Sequence, residues 1–278
     1  MPELPEVEVV RRGLAATLVG RRVDAVVVRE HRLRWPLAAD FATRLEGLRI
    51  KAVERRSKYL LLRMDGERGL TLLVHLGMTG SLVVHPSPAP AQRKHDHVDL
   101  LLDGEDGSRV LRYHDPRRFG SMHLFSGEDH RQPLLSALGP EPLTDVLTGD
   151  WLFERTRRRT GSVKQALMDN TLVVGIGNIY ANEALFRAGI HPDRAANRIS
   201  RVRYERLVQE VRAVLTEAIA AGGSTLRDFV DARGHVGYFQ LDYFVYGRAG
   251  EACRRCGGVL KLTRHGGRAT VYCSHCQR

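Results

Sequence analysis

Cysteine is nearly missing from this chain of 278 residues: there are four, all at or beyond position 253. Four cysteines confined to the C-terminal end leave the rest of the fold to apolar cores. Long apolar runs are lacking too. The longest, such as 70–78, are interrupted by His75 and Gly77 and fall far short of the roughly 20 residues a membrane helix needs. Lysine is scarce, with five against 38 arginines, a bias that phosphate recognition and codon composition explain equally well. Acidic residues thin out along the chain. Residues 1–150 carry 22 Lys+Arg against 21 Asp+Glu, whereas residues 151–278 carry 21 against 11. The formal net charge of +11 therefore resides almost wholly in the C-terminal half. Such a half attracts nucleic acid through counterion release, although a solvated face or an acidic protein partner fits basic charge as well.

The four cysteines form two pairs, Cys253-x2-Cys256 and Cys273-x2-Cys276, separated by sixteen residues. That spacing predicts one structural Zn2+ site with four thiolate ligands, closed to substrate. Two disulfides are the alternative. The first residues are acidic and periodic, unlike a secretory leader, so a soluble intracellular protein with free thiols is expected. Between the knuckles, 259–262 and 269–272 flank Gly266-Gly267 and read as a two-stranded hairpin.

At the other end stands Pro2-Glu3-Leu4-Pro5-Glu6. Removal of Met1 exposes a secondary amine beside a carboxylate, and such an amine attacks electrophilic carbon to leave an iminium. Val7, Val10, Leu14 and Leu18 recur at helical spacing, and Pro5 suits a first turn, so the amine sits at a positive helix end. That end favours the neutral nucleophile but also ionised Glu3, so a proton-donating Glu3 requires burial. The same prolines and glutamates would also serve simply to start a helix.

Short β-rich segments at 23–28, 48–56, 59–64, 70–75, 81–85, 98–102, 110–113 and 122–125 predict an antiparallel sandwich. A Gly-, Pro- and acid-rich stretch at 126–150 follows, then helical patterns at 151–160, 163–169, 179–188 and 202–221. The fold class is α+β and multidomain. Expected divisions are 1–130 for a catalytic sandwich, 131–150 for a linker, 151–240 for a helical nucleic-acid-binding domain and 241–278 for a zinc finger. Gly175-Ile176-Gly177 leads into a helix whose N-terminal amides suit a phosphate, or forms a tight helix connection.

Seven motifs now stand in one order: Pro2-Glu3-Leu4-Pro5-Glu6-Val7-Glu8, Lys58-Tyr59-Leu60, His75-Leu76-Gly77-Met78-Thr79-Gly80, Lys94-His95-Asp96-His97-Val98, Asp115-Pro116-Arg117-Arg118-Phe119-Gly120, Gly175-Ile176-Gly177-Asn178-Ile179-Tyr180 and the cysteine hairpin. Along its whole length the chain resembles the bacterial formamidopyrimidine-DNA glycosylases. The resemblance implies an N-terminal helix plus sandwich, a helix-two-turns-helix domain and a zinc finger. It implies excision of 8-oxoguanine and formamidopyrimidines from damaged double-stranded DNA, followed by strand cleavage, by a monomer in the bacterial cytoplasm at the nucleoid. The sister endonuclease VIII type, with the same amine chemistry and oxidised pyrimidines as substrate, is the alternative. Leu4 and the long 224–240 segment favour the purine enzyme.

By the same resemblance Pro2 attacks the sugar C1′ and Glu3 is the general acid. Lys58 donates a proton in β-elimination or contacts a phosphate, and Arg268 assists δ-elimination. Lys164, Asn178, Arg159, Arg117 and His95 contact the DNA backbone, with Arg159 chosen from the run Arg157-Arg158-Arg159 by an ungapped count. Met78, Arg117 and Phe119 fill the gap left by the flipped base. Read singly, Lys58 and Arg268 are also solvated cations, Met78 and Phe119 core residues, and His95 with His97 a metal or strand pair. The 224–240 segment matches the family's lesion-capping loop.

Overall fold

The structure, a computed structural model, describes residues 2–66, 69–223, 232 and 243–278. Two compact units make up the chain: Met1–Ser136 with Ala221–Gln240, and Ala137–Ala220 with Leu241–Arg278.

Unit 1 begins with helix α1 (Leu4–Leu18). Pro5 lies in the first turn, where its missing N–H costs no hydrogen bond. Glu3 is the N-cap of a reciprocal capping box, with its carboxylate accepting from the Glu6 backbone and Glu6 Oε2 accepting from the Glu3 N–H at 2.8 Å. Val7, Val10, Leu14 and Leu18 are buried, as their spacing predicts.

There follow β1 (Arg22–Val28), α2 (Phe41–Leu45), β2 (Ile50–Arg56), β3 (Tyr59–Met64), β4 (Leu70–His75), β5 (Ser81–Pro86), β6 (Asp96–Asp103), β7 (Arg109–His114), β8 (Ser121–Ser126) and α3 (Pro133–Ser136). The strands pair antiparallel in two sheets, ordered β1-β6-β7-β5 and β2-β3-β4-β8. Alternate residues Leu60, Leu62 and Met64 of β3, Leu70, Leu72 and Val74 of β4, and Val98, Leu100 and Leu102 of β6 share one core with α1. All eight expected strands are present, with ends moved by a residue or two. Helix α2 was not anticipated, because five residues burying only Phe41 and Leu45 leave too short a periodic signal.

Unit 2 holds α4 (Gly149–Thr156), α5 (Val163–Leu167), α6 (Asn178–Ala188), α7 (Arg201–Ala220) and the hairpin β9 (Lys261–His265) and β10 (Arg268–Tyr272). Helix α4 stops short of the expected residue 160. Thr156 Oγ1 donates back to the Leu152 carbonyl at 2.7 Å, and Arg157 turns to the carbonyls of Asn197 and Ile199 at 2.8 and 2.9 Å. Phe186 of α6 packs with Val245, Leu260, Val271, Cys253 and Cys273, so the helix completes a core the hairpin is too small to build. Of the expected lesion-capping segment only Ala232 lies within the described residues; its carbonyl accepts from Val84 N–H at 2.9 Å. Among the described residues no helix is long and apolar enough to cross a membrane.

Candidate functional site

Pro2 is buried at the start of α1, and Glu3 is 3% exposed, which supplies the burial that a donor role demands. Glu8, one turn on, accepts from Arg55 at 3.1 Å, and Arg55 donates to the Ser57 carbonyl at 2.9 Å. The helix start is thereby tied to the turn that presents Lys58, itself only 8% exposed. Ser57 has φ 56, a left-handed conformation that a non-glycine residue adopts at a cost. Next to Lys58, the imidazole of His75 is pushed down to about 4, first by burial and then by the charges of Lys58 and Arg34. A neutral His75 accepts the Gly77 N–H on Nδ1 at 3.2 Å.

Two loops of unit 1 present the expected void fillers. Met78 and Phe119 are 39% and 42% exposed, unusual for large apolar side chains and unlike the core placement their types suggest. The Arg117 guanidinium lies 4.5 Å from the Phe119 ring centroid. Gly77 has φ 65, and a Cβ there would meet Gly120 N at 2.4 Å, so the two loops interlock only through glycine. His95 (φ 75) and Arg118 (φ 55) complete, with Ser57, the described non-glycine residues of positive φ; each is an expected site residue or its neighbour. Beside Phe119 opens a cleft of about 490 Å³ lined by Arg32, Leu33, Arg34, Arg117 and Arg118.

His97 is no metal ligand in waiting. Its Nε2 lies 2.8 Å from the Asp115 carbonyl, and a bulge between Asp96 and Val98 accommodates it in β6.

In unit 2, Asn178 is the first residue of α6, following Gly177 at the N-cap. Lys164, expected at a phosphate, is 1% exposed. Its ammonium donates to Asn178 Oδ1 at 2.7 Å, Thr270 Oγ1 at 2.7 Å and the Ala269 carbonyl at 3.1 Å. Asn178 Nδ2 donates to the same carbonyl at 3.0 Å. Lys164, Gln165, Met168, His265, Gly266 and Arg268 line a cavity of about 230 Å³, with Arg268 exposed at the hairpin tip. Asp193 pairs with His265 at its edge. Of the arginine run, Arg157 is committed to backbone carbonyls, Arg158 is exposed, and Arg159 donates to Asp169 at 2.6 Å.

The four cysteine sulfurs lie within 4.8 Å of one another, with Cys253 and Cys276 at 3.9 Å and Cys256 and Cys273 at 3.5 Å. Tetrahedral zinc with sulfur at about 2.3 Å requires edges of about 3.8 Å, so the set fits Zn2+. Among the described residues it is the one cluster of three or more His, Cys, Asp or Glu residues able to hold a metal.

Comparison with known proteins gives three domain matches. The formamidopyrimidine-DNA glycosylase N-terminal domain covers residues 1–122, the H2TH domain of the same enzymes covers 138–230, and the zinc finger found in FPG and IleRS covers 250–278. The formamidopyrimidine-DNA glycosylase of Stutzerimonas stutzeri is 56% identical over 278 residues, all of both chains. The chain belongs to the formamidopyrimidine-DNA glycosylase family. The enzyme of that name from Pseudomonas aeruginosa is 55% identical over the full length of both. The crystal structure of MutM (FPG) from Thermus thermophilus superposes with TM-score 0.85 at 39% identity, covering 99% of this chain and 98% of that one. A complex of wild-type Lactococcus lactis Fpg with DNA containing N7-benzyl-Fapy-dG gives 0.88 at 34% identity, all of both chains covered.

Within this glycosylase family member, sequence reasoning missed Asp115, Thr79 and Glu183. The carboxylate of Glu183, on α6, accepts the N–H groups of Phe244, Val245 and Tyr246 at 2.9, 2.9 and 2.8 Å, fixing the entry to the zinc hairpin. The only signal was a charged residue amid the apolar face of α6, where 2% exposure demands a partner.

Proposed function

We propose that this protein excises oxidised purines, 8-oxoguanine and formamidopyrimidines, from duplex DNA and then cleaves the strand at the abasic sugar. The observation that carries the reading is the pair of interlocked loops in unit 1. They hold Met78, Phe119 and Arg117 outward, an arrangement with no use in a core and a direct use in filling an opened base stack. Similarity over the whole chain to formamidopyrimidine-DNA glycosylases supports it.

Pro2 nitrogen attacks C1′ and the C1′–N bond to the base breaks, the proton of the attacking amine leaving with the base. Glu3 gives its proton to the sugar ring oxygen as the ring opens, leaving an iminium between Pro2 and C1′. The iminium acidifies C2′; loss of that proton expels the 3′ phosphate, and a second elimination expels the 5′ phosphate. Lys58 serves as proton donor or phosphate contact, and Arg268 assists the second elimination. Asn178, Arg159, Arg117 and His95 hold backbone phosphates. Lys164 acts from the floor of its cavity, lending charge through Asn178 and Ala269, because its ammonium protons are already donated within the protein. Zinc orders the hairpin that carries Arg268 and takes no part in the bond changes.

The working unit is a monomer acting at the bacterial nucleoid. Residues 1–130 carry the chemistry, 131–150 link, 151–240 grip the duplex and 241–278 form the zinc finger. The three domain matches support the order of these parts, with the helical one beginning at residue 138, inside the 131–150 stretch.

The test is release of free base from two duplexes, one with 8-oxoguanine opposite cytosine and one with thymine glycol. Faster release of 8-oxoguanine is expected. Release of thymine glycol alone would assign the chain to the pyrimidine branch, and release of neither would refute glycosylase activity.

A further inference from the structure

We propose that Asp115 is the positioning residue that sets Met78, Arg117 and Phe119 as one preformed wedge, acting through the hydroxyl of Thr79. The inference rests on the lesion-glycosylase reading and adds to it what holds the wedge in shape.

Asp115 is 0% exposed and lies where three loops meet. Its Oδ1 accepts the Thr79 hydroxyl at 2.7 Å, from the loop that carries Met78. Its Oδ2 accepts the Gly120 N–H at 2.8 Å and the Tyr113 hydroxyl at 3.1 Å, flanking the segment that carries Arg117 and Phe119. The Asp115 N–H donates to the His95 carbonyl at 3.1 Å, and the Asp115 carbonyl accepts from Arg118 N–H at 3.2 Å. Thr79 completes the link, because its hydroxyl oxygen also accepts the Arg117 N–H at 3.3 Å.

Chemistry explains the residue types. An ionised carboxylate offers only acceptors, and here it meets three neutral donors. An amide at 115 keeps one acceptor oxygen and turns its NH₂ either toward the Gly120 N–H, which cannot accept, or toward the Thr79 hydroxyl, which must then reverse and accept instead of donating. Threonine both donates to Asp115 and accepts from Arg117; valine has the same shape and does neither. The approach of the loops leaves no slack, since a Cβ on Gly120 would meet the Tyr113 hydroxyl at 2.0 Å and the His75 carbonyl at 2.5 Å. Rigid presentation matters because a wedge ordered only on contact would draw its ordering entropy from the binding energy that opens the stack.

The test uses the full-length zinc-loaded protein with Thr79→Val, Thr79→Ser and Asp115→Asn. Two signals are followed in single turnover on a duplex with 8-oxoguanine opposite cytosine and 2-aminopurine next to the lesion: the fluorescence rise that reports stack opening, and base release. Thr79→Val is expected to slow both about tenfold, the scale set by one hydrogen bond to a buried charge. Its affinity for undamaged duplex keeps the same salt dependence, and cleavage of a duplex with a ready-made abasic site changes far less. Thr79→Ser, which keeps the hydroxyl, restores the fast rise. Asp115→Asn should slow the rise further, with thermal melting of each variant separating lost fold from lost positioning. The proposal is overturned if Thr79→Val opens the stack at the parent rate, or if Thr79→Ser falls as far as Thr79→Val. If the unsubstituted protein releases no base, the glycosylase reading falls and takes the positioning role with it; normal release with an unaffected Thr79→Val removes the positioning role alone.

Discussion

The ammonium of Lys164 on α5 and the hydroxyl of Thr270 on β10 meet at 2.7 Å, so the lysine that floors the cationic cavity also fastens the zinc hairpin to the helices. Charge and architecture therefore separate by substitution. Thr270→Val removes one acceptor from a buried cation and keeps the charge, and it is expected to cost about 1–3 kcal/mol of stability. Its dependence of DNA affinity on salt should stay that of the parent. Lys164→Met removes the charge, and should weaken lesion and undamaged duplexes alike while lowering the slope of log affinity against log salt by about 0.9. Thermal melting beside a salt titration of both variants checks the pair. An unchanged slope in Lys164→Met would show that this charge does not reach the phosphates.

The depressed imidazole of His75 makes a prediction about acid. An unfolded histidine binds its proton near pH 6.5, whereas His75 in the fold holds out to about 4, mainly because it is buried and then because Lys58 and Arg34 lie close. Between those values the unfolded chain binds more protons, so the contribution is complete above pH 6.5 and is lost as pH falls toward 4. The expected loss is about 3 kcal/mol across that window. His75→Asn, which keeps an acceptor for the Gly77 N–H, should flatten this part of the profile. Equal slopes of melting temperature against pH in parent and variant would refute it.

Most of the fold was legible because its signals are local. The succession of short β-rich segments between 23 and 125 and the helical spacing of Val7, Val10, Leu14 and Leu18 pointed to the sandwich and α1 before any contact was known. The motifs that contain Gly77 and Gly120, and the cysteine pairs, were legible as linear patterns. Asp115, Thr79 and Glu183 were not legible in that way, since each acts on backbone groups of loops that only the folded chain brings together. The surroundings of Lys164 were hidden for a related reason: nothing in its sequence neighbours shows that its ammonium donates to Asn178, Ala269 and Thr270.

Removing zinc should act on unit 2 first. The hairpin core is shared by Cys253, Cys273, Leu260 and Val271 with Phe186 and Val245, so loss of the metal loosens the strand that bears Arg268. Chelation or Cys273→Ser is expected to weaken DNA binding and speed amide exchange in 261–272 while the sandwich keeps its protection. A chelated sample without detectable zinc that bound lesion DNA as tightly as the loaded protein would contradict the structural role of the four cysteines.

The central claim is that the amine of Pro2 forms the bond to the damaged sugar. Borohydride reduction during turnover on a duplex with 8-oxoguanine opposite cytosine, followed by peptide mapping of the adduct, tests it most directly. The account predicts a covalent protein–DNA species whose sugar is attached to Pro2, retained in part by Pro2→Gly, which still offers an amine, and abolished when Met1 is left in place. Strand cleavage with no trapped species, or an adduct mapped to Lys58, would contradict it.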